Sequence, residues 1–227
     1  MAHIFENLLI WSEVWALLIP LCFIFPMSNK PDYLKPVCYY IIIAFFLNLF
    51  ANLISNQKDI GLHLRWHNNI LLYNLHSIVR FGCFTSFFIL LKQNHYLNLK
   101  KIIPFLYVII LLLNFTVLDK FFTPLHINGN LMTAELYLLL VYCLLYYLSN
   151  VKDQQPMLKT GPEFWIVTGL GIYVVINFFL FLFYIPLMTE NGALADNMWK
   201  VHNVAYIFLC VFIARAFYSV KRYRASV

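Results

Sequence analysis

Four polar side chains able to bind a ligand or carry a proton follow one another in the third apolar segment of the chain: Asn69, Tyr73, His76 and Arg80. Their spacing of i, i+4, i+7 and i+11 places them on one face of an α-helix. A rise of about 1.5 Å per residue takes this stripe from the surface of a bilayer to about its middle, where it ends at Arg80. Charged side chains are costly in a bilayer, so the stripe is a candidate functional site.

A buried Arg80 requires a carboxylate partner, and the sequence offers two, Glu13 and Glu135. Other polar residues are predicted at the same depth, with Asn177 somewhat deeper. Together they form a candidate ligand-binding or proton-relay layer: Glu13, Asn48, Asn52, Asn69, Tyr73, His76, Arg80, Asn114, Glu135, Asn177, His202, Asn203 and Tyr206. Polar groups from six or seven helices at one depth indicate a cavity in one half of the bundle.

Each member of this layer also has a simpler interpretation. Asn, Tyr and His often make single hydrogen bonds that hold membrane helices together, and Arg80 with either glutamate would serve as a structural ion pair. A metal held by Glu13, His76, Glu135 and His202 is a further alternative, as is a zinc site at His63 and His67 in an outer loop. No third ligand completes that histidine pair, and the sequence predicts neither a metal nor a cofactor.

The elements that position these residues follow from composition. Of 227 residues, 62% are hydrophobic and only 11% are charged, far from the values of soluble domains. Apolar runs of spanning length predict seven transmembrane helices near residues 5–26, 33–54, 69–91, 102–122, 131–149, 163–187 and 197–220, with Pro104 in the first turn of the fourth. The chain is therefore predicted to be an all-α polytopic membrane protein, a single domain over residues 1–227 with no room for a soluble catalytic module.

The basic residues predict the orientation of the bundle. Alternate connectors hold eleven Lys and Arg on one side and four on the other, which places the richer side and the C-terminus in the cytoplasm and the N-terminus outside. The net charge of +6 falls at helix ends rather than in a patch with interleaved aromatics, so nucleic acid is excluded as a partner.

The lipid bilayer of the cell membrane is the predicted surrounding. All five cysteines lie within apolar spans, without metal-type spacing.

An internal repeat is suggested by the second and sixth spans. Residues 40–50 (YIIIAFFLNLF) align without gaps to residues 173–183 (YVVINFFLFLF), with seven of eleven positions identical. Glu13 then corresponds to Glu135, and His76 to His202. Helices one to three would repeat as five to seven, and the odd linker helix would keep both halves in the same orientation.

This three-plus-one-plus-three plan resembles the superfamily that groups SWEET sugar exporters, PnuC-type carriers and opsin-like receptors. The chain is also similar to small bacterial seven-span proteins, a resemblance that implies no functional residues. An opsin is disfavoured because the last helix has no midspan lysine; Lys200 lies at its outer end. A resemblance to zinc-dependent seven-helix ceramidases fails at the same helix, where His202 is followed by Tyr206 rather than a second histidine.

Two functions remain. The first is a sensor or receptor-like module that binds a small polar ligand in the outer cavity and signals to a cytoplasmic or membrane partner. The second is a small-solute or proton-coupled transporter, which would require more polar groups in the inner half than Thr85, Ser86 and Tyr142. The apolar inner half favours the sensor; an intramembrane hydrolase is the least favoured alternative.

Overall fold

The computed structural model describes residues 8–27, 29–57, 69–91, 93, 95–114, 129–152, 161–190 and 192–225. The helical class predicted from the sequence is confirmed for these residues, which contain no strand. A 3₁₀ turn over Asp32–Leu34 precedes the second of the α-helices, which are α1 (Ser12–Ile24), α2 (Lys35–Ser55), α3 (Ile70–Leu90), α4 (Leu97–Leu113), α5 (Gly129–Lys152), α6 (Pro162–Glu190) and α7 (Gly192–Ala225).

Four segments in the described part of the chain are long and apolar enough to cross a bilayer: Asp32–Ser55, Gly129–Lys152, Pro162–Phe183 and Gly192–Lys221. Their mean hydropathy lies between 1.7 and 2.4, which supports the assignment to membrane proteins. α1 is a shorter apolar helix of 13 residues. α3 is 21 residues long but less apolar, because it carries Asn74, His76 and Arg80.

Six of the helices form a closed ring. Each packs against the next in the order α1, α2, α3, α5, α6, α7, and α7 returns to α1. α4 lies outside this ring and packs against α3 and α5. Side chains that point into the ring therefore come from α1 to α3 and α5 to α7, while α4 supports the wall between α3 and α5.

The interior of the ring is polar at one end and apolar at the other. Buried Asn, His, Glu and Arg side chains lie near the residues at which α1, α3, α5 and α7 begin, and we call this the polar end. Towards the opposite end the interior is filled by aromatic rings: Phe84, Phe87 and Phe88 are fully buried, and Phe88 stacks on Tyr142 at 5.0 Å between ring centroids. Phe105 and Phe179 on the outer surface are 71% and 57% exposed, as expected for side chains that face lipid.

The start of α4 differs from the sequence prediction. The helix begins at Leu97, so Pro104 lies inside it rather than in its first turn. Proline has no N–H, so the carbonyl of Lys100, four residues earlier, cannot make its helical hydrogen bond. The hydroxyl of Tyr142 on α5 donates to that carbonyl at 2.6 Å. This bond satisfies the freed acceptor and ties α4 to the ring, which explains why the helix continues past the proline.

A second, smaller polar cluster lies at the opposite end of the bundle. The side chain of Lys100 is fully buried, and its Nζ donates to Gln93 Oε1 at 2.7 Å. Gln93 in turn donates to Asn150 Oδ1 on α5 at 3.0 Å. Lys100 precedes the predicted span 102–122, and its burial lowers its pKa from 10.5 to about 8.

Candidate functional site

Arg80 and Glu135 form a buried ion pair between α3 and α5. Arg80 Nε donates to Glu135 Oε1 at 2.6 Å, and Nη2 donates to Oε2 at 2.8 Å. Arg80 is 3% exposed and Glu135 is fully buried. Of the two carboxylates that the sequence offered, the structure therefore assigns Glu135 to Arg80. The paired bonds have the two-point geometry that suits a guanidinium and a carboxylate.

Two further hydrogen bonds complete this pair. Ser77, one turn before Arg80 on α3, donates to Glu135 Oε2 at 2.5 Å, and Arg80 Nη1 donates to the hydroxyl of Tyr173 on α6 at 2.5 Å. Both oxygens of Glu135 and three N–H groups of Arg80 are thus engaged. A buried pair with its hydrogen bonds satisfied has no net charge and is held rigidly, so it serves as a fixed wall of the site.

Glu13, the carboxylate on α1, has a different environment. It is 3% exposed, and its Oε2 accepts a hydrogen bond from the hydroxyl of Tyr73 at 3.3 Å. Its Oε1 lies 3.2 Å from His202 Nε2 on α7, which is ion-pair distance when the imidazole is protonated, and it makes no hydrogen bond within the described part of the chain. Glu13 is therefore a buried carboxylate with an acceptor still available.

Asn177 fixes the orientation and the tautomer of His202. The amide nitrogen of Asn177 donates to the carbonyl of Tyr173 on the same helix at 2.8 Å, so its Oδ1 faces α7 and lies 2.5 Å from His202 Nδ1. Oδ1 is an acceptor only, and Nδ1 must carry the hydrogen. In the neutral ring Nε2 then has a lone pair directed towards Glu13. Asn177 was predicted to lie deeper than this layer, and its side chain contacts His202, a member of the layer.

A pocket lies at the polar end between these groups: its enclosed part, about 10 Å³, has room for about one water-sized group, and the 270 Å³ of empty space around it includes open solvent. Glu13, His76, Arg80 and His202 line it on the polar side. The remaining lining residues are Tyr73, Met132, Phe181 and Trp199. The aromatic rings contact one another: Trp199 lies 5.6 Å from Tyr73 and 6.1 Å from Phe181 between ring centroids.

A chain of weaker contacts continues from the pocket towards α2. His76 Nε2 lies 3.3 Å from the hydroxyl of Tyr40, and that hydroxyl donates to Tyr206 OH at 3.4 Å. Asn48 donates to the same Tyr206 oxygen at 3.4 Å and to the backbone carbonyl of Glu13 at 3.1 Å. These groups link α2, α3 and α7 and hold the main chain of α1 beside Glu13.

Eight of the thirteen predicted residues do not line the pocket, and four of these eight lie apart from it. Asn52 donates to the carbonyl of Asn48 within α2 at 3.2 Å, Asn69 donates to Ala51 O at 3.3 Å, and Asn203 donates to Leu9 O at 3.0 Å. These are contacts within or between helices. Asn114 is buried at the end of α4, outside the ring. Of the other nine predicted residues, five line the pocket and four contact a residue that lines it.

The four candidate metal ligands do not converge. Glu135 is engaged by Arg80 and Ser77, and His76 faces Tyr40, so only Glu13 and His202 approach each other. Across the residues that the structure describes, no group of three or more His, Cys, Asp or Glu side chains is placed to hold a metal ion. His63 and His67 lie outside the described residues.

Sequence reasoning missed several residues of the site. Tyr40 and Tyr173 are the first residues of the two repeated segments, so the repeat itself was a signal for them. Ser77 adjoins His76 on the inward face of α3. Trp199, Phe181 and Met132 have apolar or aromatic side chains in a chain full of such residues, and no feature of the sequence distinguishes them.

Comparisons with protein-family models, with curated proteins and with solved structures find no match for this chain. The site geometry and the arrangement of the helices therefore carry the functional argument.

Proposed function

We propose that this protein is a membrane sensor whose pocket at the polar end binds a small polar ligand from outside the cell, and which signals to a separate partner at the opposite end. The observation that carries this proposal is Oε1 of Glu13, which makes no hydrogen bond among the residues that the structure describes. A buried acceptor without a partner is costly, and here it belongs to a pocket that opens at one end of the bundle. Binding a ligand there removes that cost.

The apolar end of the bundle favours sensing over transport. Beyond the Arg80–Glu135 pair the ring interior is closed by Phe84, Phe87 and Phe88, which are fully buried. A polar solute would have to pass this aromatic layer to cross the membrane. Two ends of such different polarity suit a protein that binds at one end and changes the packing of its helices at the other.

Arg215 near the end of α7 supports a partner surface at that opposite end. Its guanidinium lies over the rings of Trp165 and Tyr218, at 5.2 Å and 5.4 Å from their centroids. The contact with Trp165 joins α7 to α6. It lies at the end of the bundle where the sequence is rich in basic residues. Under the predicted topology this end faces the cytoplasm, so a shift of α7 at His202 would reach a partner through it.

The transporter is the second candidate, and one observation favours it. The ring has the contacts that the three-plus-one-plus-three repeat requires: α1–α2 matches α5–α6, α2–α3 matches α6–α7, and α3–α5 matches α7–α1, with α4 left outside. Rings at matching positions of the proposed repeat also pack together. The ring centroids of Tyr40 and His76 lie 5.8 Å apart, and those of Tyr173 and His202 lie 5.9 Å apart. Two such halves could move against each other to open the pocket alternately.

Accessibility of the pocket from each face of the membrane tests the proposal. Met132→Cys places a thiol in the pocket lining, and Ala214→Cys places a matched thiol on α7 in the apolar half, where Ala214 is 5% exposed. Both are labelled with a membrane-impermeant maleimide in right-side-out and inside-out vesicles, and labelling of the wild-type cysteines is subtracted.

The sensor predicts that Met132→Cys is labelled from the outer face only and that Ala214→Cys is labelled from neither face. Labelling of Met132→Cys from both faces supports the transporter. If Met132→Cys is labelled from neither face, the proposal that the pocket admits a ligand from outside is wrong.

A further inference from the structure

We infer that the ligand of this pocket is a small organic amine, bound as its ammonium ion between Glu13 and His202. The inference rests on the proposed function and names the chemical class that the pocket selects. It depends on three observations: the convergence of two acceptors, the charge of the pocket wall and the rings around it.

Two hydrogen-bond acceptors converge on one point of the pocket. Glu13 Oε1 and His202 Nε2 lie 3.2 Å apart, and Asn177 holds the ring hydrogen of His202 on the other nitrogen. Two lone pairs at that distance repel each other unless a proton or another donor lies beside both. An ammonium group has several N–H donors and can bond both atoms at once. A carboxylate ligand presents only more acceptors there, and a phosphate adds negative charge beside Glu13.

The lining of the pocket carries one uncompensated negative charge when its histidines are neutral. Arg80 is neutralised by Glu135, which holds two of its nitrogen atoms at 2.6 Å and 2.8 Å. Glu13 is then the remaining charge among the residues that line the pocket. A buried carboxylate is stabilised by an opposite charge at short range, so the wall favours a monovalent cation over a neutral solute of the same size.

Aromatic rings surround this carboxylate. Tyr73, Phe181 and Trp199 line the pocket with Glu13, and Trp199 lies 5.0 Å from His202 between ring centroids. The faces of such rings attract organic cations, and most strongly when water is excluded. They also provide apolar surface for the carbon atoms of the ligand. A carboxylate within aromatic walls distinguishes an alkylammonium ion from a hydrated metal cation.

Three probes of equal length test the inference: n-propylammonium chloride, sodium propionate and 1-propanol. The purified protein in lipid nanodiscs is titrated with each at constant ionic strength, and the thermal unfolding midpoint is recorded. We expect n-propylammonium to raise the midpoint saturably, and propionate and propanol to have no saturable effect.

Glu13→Gln and Trp199→Leu are the test variants, since the first removes the charge with little change of shape and the second removes a ring. We expect the half-saturating concentration of n-propylammonium to rise at least tenfold in Glu13→Gln and about threefold or more in Trp199→Leu. Glu163→Gln is the matched control. Its carboxylate lies in the first turn of α6 and bonds Tyr33, so this variant should bind as the wild type does.

The outcomes separate the two proposals. If propionate or propanol saturates the site, or if Glu13→Gln and Trp199→Leu bind n-propylammonium as tightly as the wild type, the amine assignment is wrong and a polar-ligand pocket is retained. If no probe binds while Met132→Cys is labelled from outside, the amine assignment alone fails. If Met132→Cys is also inaccessible, the proposed function fails with it.

Discussion

The carboxylate of Glu135 accepts two hydrogen bonds from Arg80, through Nε at 2.6 Å and Nη2 at 2.8 Å, and both side chains are buried. The pair joins α3 to α5 across the wall that α4 supports from outside. A looser contact, the approach of Glu13 on α1 to His202 on α7 at 3.2 Å, also lines the pocket. The contact between α3 and α5 is therefore locked by charge, whereas the contact between α1 and α7 retains an available acceptor.

Arg80→Met should destabilise the protein by about 3–5 kcal/mol, because it leaves the Glu135 carboxylate buried without its cation. The double variant Arg80→Met/Glu135→Leu should recover most of this loss, since no charge is then left unpaired. Unfolding in mixed micelles by SDS titration, followed by circular dichroism, measures both. Asp32→Asn removes the exposed partner of Lys35 and should have no measurable effect. A double variant as unstable as the single one would contradict a locked, neutral pair.

Asn177→Ala should change the tautomer of His202 and reduce stability by about 1–3 kcal/mol, because the Nδ1 hydrogen loses its buried acceptor. ¹⁵N spectra of histidine-labelled protein should show His202 protonated on Nδ1 in the wild type and a mixture of tautomers in the variant. Asn52→Ala is the control, since Asn52 donates within its own helix. The same His202 tautomer in all three proteins would show that Asn177 does not fix the ring.

Two glycines of α6 predict opposite effects on the packing of α6 against α7. A Cβ atom at position 169 would overlap the side chain of Phe212 on α7, whereas a Cβ at position 171 meets nothing within 4 Å. Gly169→Ala should therefore cost about 1–3 kcal/mol through overpacking. Gly171→Ala should be neutral or stabilising by up to about 1 kcal/mol, because alanine favours the helix. Equal stability of the two variants, measured by the same SDS titration, would rule out the close approach of these helices.

Lys100 predicts a dependence of stability on alkaline pH. Burial lowers its pKa in the folded protein to about 8, against 10.5 as the ordinary value. Between these values the unfolded chain binds more protons than the folded one, so the free energy of unfolding rises with pH. Below about pH 8 the cost of burying the charge is present in full. We expect Lys100→Met to flatten this rise between pH 8 and 10.5, while Lys101→Met, at the exposed neighbouring position, should retain it.

The helices and the polar layer could be predicted from the sequence because each depends on local features. Apolar runs placed the ends of α2, α3, α5 and α6 to within three residues, whereas α4 begins five residues before its predicted span and α7 extends five residues beyond its predicted span at each end. Helical spacing placed Tyr73, His76 and Arg80 on one face. The partner of Arg80 could not be chosen, since the contact of α3 with α5 rather than α1 depends on the order of helices around the ring. That order is a tertiary property without a local signal.

The start of α4 was predicted wrongly, and the contact of Asn177 with His202 was not predicted, for related reasons. Pro104 was taken to mark the first turn of its helix, but the hydroxyl of Tyr142 on another helix satisfies the carbonyl that the proline frees. The prediction for Asn177 rested on its position in its own helix, whereas the partner of its side chain lies on α7. Both depend on a neighbouring helix that a single segment of sequence does not reveal.

The separation of Arg80 from Glu135 along the chain has a consequence for biosynthesis. The ribosome makes Arg80 55 residues before its partner, and α3 is less apolar than the four segments suited to cross a bilayer unaided. An arginine at the centre of an inserting helix costs about 2.5–3.5 kcal/mol on translocon scales. We therefore expect α3 to remain beside the insertion machinery until α5 emerges, so that formation of the ion pair sets the moment at which α3 enters the lipid.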